Sequence, residues 1–443
     1  MSDLSAVLEA GLSLEEVHKF LSEGMSLSEI SAAVERLQAR GEAVTEPEEE
    51  ILGRKTALNI AALEAELERL GISVRFDQIR HEMTVSGVPP QYNPETAAQD
   101  LPVLLHDTLK TRYRCTKDLL ADLLGVIAGK HRFNPVLDLL NSSQWDGESR
   151  LLDLFQILGI CPEDGLSQTL VWKWCLQAAA LLENPAHKPF GADGVLVLQG
   201  PQGCGKTSFV RKLGISPEFT RLGQYFDPKD KDTTRRCVSC WICELGEVET
   251  TLRGDLERLK AFLTAETDVY RVPYGRTDCQ YIRRTSFIAT CNSSAFLIDP
   301  TGSRRFWTVP VQQIDLERLQ DFDSLQFWLE VRASVASGGQ SFRLTREEQA
   351  QLAQRNAAHE KPLKSQPEIE DIFTLAEQKP EWFSWEYVTV SRLKIENETL
   401  KAFSVEQIGK ALDKLGIVAE RKSIDGKRQR VRRLPVRKWN SDN

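Results

Sequence analysis

Gly200-Pro-Gln-Gly-Cys-Gly-Lys-Thr207 follows a short apolar run, Val195-Leu-Val-Leu198, and opens a stretch of helical character. It matches G-x-x-x-x-G-K-[ST] in full, in the strand-to-helix setting that pattern requires. Glycines let the backbone curl so that successive N–H groups converge on phosphate oxygens. The start of a helix adds partial positive charge at the same place. The predicted cradle is Gly200, Pro201, Gln202, Gly203, Cys204, Gly205, Lys206, Thr207 and Ser208. ATP with Mg²⁺ fits this chemistry, Lys206 reaching the β- and γ-phosphates and the Thr207 hydroxyl binding the ion. The loop alone does not separate a helicase from a kinase, a transporter ATPase or a switch GTPase.

From Gly191 onward strands alternate with helices, which predicts a mostly parallel sheet. Cys237-Val-Ser-Cys-Trp-Ile-Cys243 reads as a core strand that ends in Glu244-Leu-Gly-Glu247. One carboxylate there can hold Mg²⁺ together with Thr207, and a second can polarise the attacking water. Glu244 is the metal-side candidate, but the spacing leaves open whether Glu244 or Glu247 positions water. Cys237, Cys240 and Cys243 have a metal-ligand spacing. Strand alternation would turn Cys240 away from the other two, and no fourth ligand is near, so buried thiols are expected instead.

Thr285-Ser-Phe-Ile-Ala-Thr-Cys-Asn292 is a further apolar strand with a polar tip, which makes Asn292 a sensor of the γ-phosphate or the attacking water. Asp299-Pro-Thr-Gly-Ser-Arg-Arg-Phe-Trp307 places two adjacent arginines before another strand, at 306–309. Arg304 or Arg305 suits an arginine finger, whose permanent planar charge stabilises a transferring phosphoryl group. Fingers of this kind usually act on a neighbouring subunit's nucleotide, which implies a ring. Asp268-Val-Tyr-Arg-Val-Pro-Tyr-Gly-Arg276, with Arg283 and Arg284 beyond it, interleaves aromatic and basic residues around a Pro-Gly turn. Such a hairpin suits a nucleic-acid backbone, with Arg271, Tyr274, Arg276, Arg283 and Arg284 as contacts. Arg271 facing the nucleotide is the other reading.

The phosphate loop, the strand with Glu244 and Glu247, Tyr270-Arg-Val-Pro-Tyr274, Asn292 and Gly302-Ser-Arg-Arg-Phe-Trp307 together resemble, in that order, the virulence-associated E family. These are phage- and island-encoded proteins related to superfamily 3 helicases. Phe133-Asn-Pro-Val136 and Trp145-Asp-Gly-Glu-Ser-Arg-Leu151 resemble that family's lead-in, so the likeness spans about residues 110 to 312. It implies an AAA+/superfamily 3 helicase-like α/β P-loop NTPase core, a homo-hexamer and an ATP-driven DNA helicase that serves replication of a mobile element. Some relatives carry a primase domain ahead of the helicase. Here the roughly 110 N-terminal residues show no carboxylate site, so priming is not expected of this chain and a primase is a candidate partner.

The remaining chain is read from composition and pattern. Its 443 residues allow several domains, and nine scattered Cys suit a reducing cytoplasm better than a disulfide framework. No apolar run approaches the roughly 20 residues that cross a bilayer, and the first residues are no signal peptide, so neither a membrane partner nor export is expected. The net charge of −8 hides an asymmetry: residues 421–438 carry nine Lys/Arg against one Asp, leaving −16 on the rest. That is a basic contact patch on an acidic protein.

Gly11-Leu-Ser-Leu-Glu-Glu-Val17 recurs as Gly24-Met-Ser-Leu-Ser-Glu-Ile30, each copy with the Ser-to-Glu spacing of a capping box. Two short helices, a third to about Arg40 and an acidic linker at 46–50 would make residues 1–50 a docking or tethering element. Residues 54–190 read as an all-helical region, 191–312 as the ATPase core, 313–366 as a helical connector and 367–443 as a small basic domain. In this last domain Ser404 caps a helix to Leu415, and 417–422 and 428–434 read as strands joined at Asp425-Gly426. A helix followed by a basic hairpin resembles a winged helix that binds DNA through Lys410, Lys414, Lys427, Arg428, Arg430 and Arg432. Docking a protein is the other use of such a module. The expected function is ATP-dependent translocation on single-stranded DNA. Its rivals are an ATP-controlled origin-binding initiator that does not unwind, and an ATP-dependent remodeller of a protein partner.

Overall fold

The computed structural model describes residues 17, 18, 21, 26–39, 55–227, 230–246, 256–270, 278–293, 297, 304–359, 365–424 and 426–438. Glu247, Arg271, Tyr274, Arg276, the first repeat copy apart from Val17, and the acidic stretch 46–50 lie outside them. The chain divides into two units, Met1–Ser143 and Gln144–Asn443.

In the first unit, Leu27–Ala39 is one helix where the sequence pattern predicts the second and third of three short ones. No Gly or Pro interrupts it. Ser26 Oγ accepts the Glu29 N–H at 3.3 Å, and Glu29 accepts the Ser26 N–H at 2.8 Å, closing the capping box of the second repeat. The all-helical expectation for 54–190 is corrected by a three-stranded sheet. Strands β1 (Ser73–Asp77) and β2 (Glu82–Ser86) form an antiparallel hairpin, and β3 (Arg132–Phe133) lies parallel to β1. The hairpin turns because Asp77 Oδ1 accepts the N–H groups of Ile79 and Arg80 at 2.7 and 3.0 Å. Five-residue alternations are easily lost among long helical patterns. Helices Ile60–Leu70, Ala97–Leu109 and Lys117–Lys130 supply the core of this unit through Leu63, Leu67, Leu105, Leu120 and Leu124.

The boundary expected at 190/191 is also displaced, because helix Gly165–Leu182 is built into the second unit. Trp174 Nε1 donates to Phe287 O at 2.8 Å, Gln177 Nε2 to Gly194 O at 2.9 Å, and Trp241 Nε1 to Ala178 O at 3.0 Å. Up to Pro310 the strands of this unit are β4 (Val195–Gln199), β5 (Thr220–Gln224), β6 (Ile242–Leu245), β7 (Thr267–Tyr270), β8 (Cys279–Ile282), β9 (Ser286–Cys291) and β10 (Phe306–Pro310). Five of them form a parallel sheet in the order β10-β4-β9-β6-β5. β6 and β9 are buried throughout and β4 nearly so, which is why they read as unbroken apolar runs.

Cys237 does not belong to β6. It closes helix Lys231–Val238, and the strand begins at Ile242. Strand alternation therefore does not separate the three cysteines as expected: all three are buried, and burial, with the Cys237 and Cys240 thiols nearby, pushes the Cys243 thiol well up. Among the described residues, no group of three or more His, Cys, Asp or Glu is arranged to hold a metal ion.

β7 and β8 pair as an antiparallel hairpin whose root is a buried ion pair. Arg283, 1% exposed, donates Nε and Nη2 to the Asp268 carboxylate at 2.6 and 2.5 Å. Its Nη1 donates to Phe262 O at 3.1 Å, and the guanidinium lies over the Phe262 and Phe287 rings. This overturns its assignment as a DNA contact, since no phosphate can approach it. Arg283→Met leaves the Asp268 charge buried and alone, and is expected to cost about 3–5 kcal/mol. Thermal unfolding should show a clear drop in Tm, largely restored by Arg283→Met/Asp268→Leu. An unshifted single variant would refute the pair's structural role.

Residues 365–438 build a small α+β layer. Helices Gln366–Gln378, Val390–Glu396 and Val405–Lys414 pack against an antiparallel sheet of β11 (Phe383–Val388), β12 (Glu420–Ile424) and β13 (Lys427–Arg437), in the order β11-β13-β12. Ile369, Leu393, Ile408, Leu412, Leu434 and Val436 form its core. The Ser404–Gln407 capping box is present in both directions. Strand β11 was not foreseen. Arg432 is corrected as Arg283 is: 3% exposed, it pairs with Asp413 at 2.6 Å and donates to the carbonyls of Ile417 and Gly409. It ties helix to sheet. Lys410, Lys414, Lys427, Arg428 and Arg430 are exposed.

Candidate active site

The phosphate loop leaves the C-terminal end of β4 with β9 beside it and β6 next beyond. Two of its glycines adopt positive φ, Gly203 at 81° and Gly205 at 99°, a backbone region that side chains disfavour. At Gly200 a Cβ would lie 1.8 Å from Val311 O, so only glycine lets β4 and the segment after β10 approach there. Helix Lys206–Leu213 starts directly behind the loop. Its N-terminal amides and charge therefore face the position that the motif reserves for phosphate.

Five side chains converge, two from this helix, one from β6 and two from β9 and the residue just past it. Lys206, 7% exposed, donates to Gly200 O and Pro201 O at 2.8 Å each and to Asn292 Oδ1 at 3.0 Å. Thr207 Oγ1 donates to Glu244 Oε1 at 2.7 Å. Glu244, 1% exposed, accepts in addition from Thr290 Oγ1 at 3.2 Å and from the Gly223 N–H at 3.1 Å. The buried carboxylate is thus held in a fixed orientation by three donors. Of the cradle, Pro201, Gln202, Gly203, Thr207 and Ser208 are exposed and Cys204 is buried.

Thr290 and the Gly223 amide were missed from sequence. A signal for Thr290 existed: in an apolar strand it is the polar residue two before Asn292, and period-two alternation puts both on one face. Gly223 gives no such signal, because its role is a backbone N–H at an irregularity in the β5–β6 pairing.

Arg304 and Arg305 lie elsewhere. They precede β10, whose Phe306 pairs with Val195, at the end of the sheet remote from the loop. At about 3.3 Å per residue, roughly 20 Å of strand separates them from Gly200. They line a polar cavity of about 250 Å³ with Asp193, Glu266, Arg343 and Gln349. Arg284 is half-buried, its Nη1 3.4 Å from Ile282 O. It sits with the hairpin root, next to Arg283. The structure thus brings together Lys206, Thr207, Glu244 and Asn292, and keeps the arginine pair apart from them.

Fold and site define an α/β protein that carries a phosphate-loop motif at the C-terminal edge of a five-stranded parallel sheet. The chain belongs to the virulence-associated protein E-like family: the Virulence-associated protein E-like domain matches residues 140–361, half of the chain. That match begins near the division between the two units and takes in helix Gly165–Leu182. No curated protein matches. Among solved structures, the chain is similar to the apo structure of the NrS-1 C-terminal region, with 14% identity and a TM-score of 0.49 over 85% of this chain and 99% of that one. It is also similar to the X-ray structure of JCV helicase, with 13% identity and a TM-score of 0.24 over 60% of this chain and 84% of that one. No helix among the described residues is long and apolar enough to cross a membrane.

Proposed function

We propose that this protein is an ATP-dependent DNA helicase of a phage or mobile element, acting as a homo-hexameric ring on single-stranded DNA. The carrying observation is the hydrogen-bonded set Lys206–Asn292 and Thr207–Glu244 behind a glycine loop at a helix N-terminus. The Thr207 hydroxyl and Glu244 carboxylate are hard oxygen donors of the kind that suit Mg²⁺ beside phosphates. Mg²⁺, when bound, neutralises charge that develops on the β- and γ-phosphate oxygens. Lys206 sets a fixed positive charge beside the transferring phosphoryl, and Asn292 orients both the Lys206 ammonium and the attacking water. The engagement of Glu244 with Thr207 favours the metal side for Glu244 and leaves Glu247 to polarise the water.

Arg304 or Arg305 serves the site of the next subunit, since neither reaches the loop of its own chain. The tip between β7 and β8, with Arg271, Tyr274 and Arg276, grips the strand inside the ring. Its movement with nucleotide state supplies translocation. Three helices and an antiparallel hairpin in the C-terminal layer support its reading as a winged helix. Helix Val405–Lys414 would offer Lys410 and Lys414 to duplex DNA, with Lys427, Arg428 and Arg430 on the wing.

ATP turnover of the full chain with and without single-stranded DNA tests this reading. Severalfold stimulation, followed by strand separation of a forked duplex, is expected. Turnover indifferent to DNA would overturn the motor and reassign the chain to an ATP-controlled initiator or a remodeller of a protein partner.

A further inference from the structure

The C-terminal layer exposes a second surface that uses none of Lys410, Lys414, Lys427, Arg428 and Arg430. Cross-strand pairing puts Tyr387 opposite Arg433 and Trp385 opposite Pro435, with Arg437 two residues beyond on the same face of β13. Trp385 is 42% exposed and Tyr387 37%, and Arg433 and Arg437 are exposed beside them. In the turn just before β11, Trp382, 48% exposed, has the Lys379 ammonium 3.8 Å from its ring centroid. The Lys422 ammonium lies 3.0 Å from the Tyr387 ring centroid. Glu420, which accepts from the Tyr387 hydroxyl at 3.4 Å and pairs with Lys422 at 3.2 Å, is the acidic group among these contacts. The opposite face of the sheet is spent on the core through Leu434, Val436 and Val388.

Large rings are ordinarily buried, so an exposed Trp385–Tyr387 row on one sheet face, with Trp382 exposed nearby in sequence, asks for a partner. What surrounds them selects it. Lys379, Lys422, Arg433 and Arg437 give the row four cations, which disfavours an apolar or basic protein surface and matches a polyanion. Flat rings alternating with cations along one sheet face present a stacking surface for bases and counter-charges for phosphates. Stacked duplex bases cannot lie on such rings, whereas unpaired bases can.

We propose that the outer face of β11 and β13 is a stacking platform for single-stranded DNA, in which Trp385 and Tyr387 take successive bases and Arg433 and Arg437 take the phosphates. The platform shares the wing's two strands but uses none of Lys410, Lys414, Lys427, Arg428 and Arg430, so one small domain holds an unpaired strand on its sheet while its helix faces duplex. Such a surface would retain the displaced or incoming strand at a fork.

The test is anisotropy of a labelled oligothymidylate with the full chain in the absence of ATP, so the outcome does not depend on the motor reading. Trp385→Ala/Tyr387→Ala is expected to weaken this binding by at least about 30-fold. Affinity for a blunt duplex should stay within about twofold, because phosphate contacts from the helix and wing are kept. Trp385→Phe/Tyr387→Phe keeps both rings and should bind as wild type, which separates stacking from loss of fold. Arg433→Gln/Arg437→Gln, at exposed positions, should lower the salt slope of single-strand binding by about one unit. The platform is overturned if the alanine pair binds oligothymidylate as wild type does, or loses single strand and duplex equally. It is also overturned if the phenylalanine pair loses as much as the alanine pair, or if the glutamine pair leaves the salt slope unchanged.

Discussion

Glu244→Gln is expected to lower ATP turnover by at least about 100-fold while the protein stays folded and still binds nucleotide. The substitution keeps shape and volume but removes the charge and exchanges one acceptor for a donor. At Glu244 every acceptor position matters: Oε1 takes Thr207 and Thr290, and Oε2 takes the Gly223 N–H. An amide in that place either turns its NH₂ towards the Gly223 amide, donor against donor, or turns it towards the two hydroxyls. Neither choice leaves a negative charge beside the Thr207 hydroxyl, so the Mg²⁺-dependent part of ATP affinity should fall with turnover. Glu247→Gln should behave differently, keeping Mg²⁺-dependent affinity and losing turnover alone. Titration of a fluorescent ATP analogue with and without Mg²⁺, beside steady-state turnover, separates the two. Turnover of Glu244→Gln within about threefold of wild type would remove Glu244 from the hydrolytic site.

The residues of this site were legible because their signals are local. A glycine pattern, an apolar run with a polar tip and a capping box are each set by neighbours in sequence, and each predicts a geometry that the structure contains. The failures arise where a distant partner decides. Arg283 looks like a surface cation beside Arg284, yet Asp268 lies on the paired strand and two phenylalanine rings cover it, which turns the side chain inward. Arg432 sits in a run of arginines and is claimed by Asp413 from a helix. Cys237 carries an apolar-run signal shared with β6, but Ser239, Cys240 and Trp241 turn the chain between helix and strand. The strands of the three-stranded sheet in the first unit were hidden for another reason. They total few residues, two of them in β3, and helical periodicity on both sides dominates any window long enough to measure.

Arg305→Ala is expected to abolish ATP turnover, by about 10³-fold or more, with ATP binding retained. Mixing it with Lys206→Ala should bring activity back. The argument rests on where the sheet puts these residues. Lys206 stands at the C-terminal end of β4, and Arg305 precedes the paired strand β10 at the other end. A finger that served its own chain's nucleotide would have to span most of the sheet, so each complete site needs Lys206 from one copy and the arginine from another. Either variant alone forms only defective interfaces. In a random one-to-one ring, about one interface in four joins an intact Lys206 to an intact arginine, and mixtures should therefore recover up to about a quarter of wild-type turnover. Arg304→Ala, assayed the same way, identifies which arginine reaches across: only the finger variant should be rescued by Lys206→Ala. Recovery must also depend on subunit exchange and vanish when the two variants are mixed under conditions that block reassembly. Full activity of both arginine variants would refute the shared site. Loss without any rescue would mean that the pair holds its own subunit together through the cavity it lines with Asp193, Glu266 and Arg343.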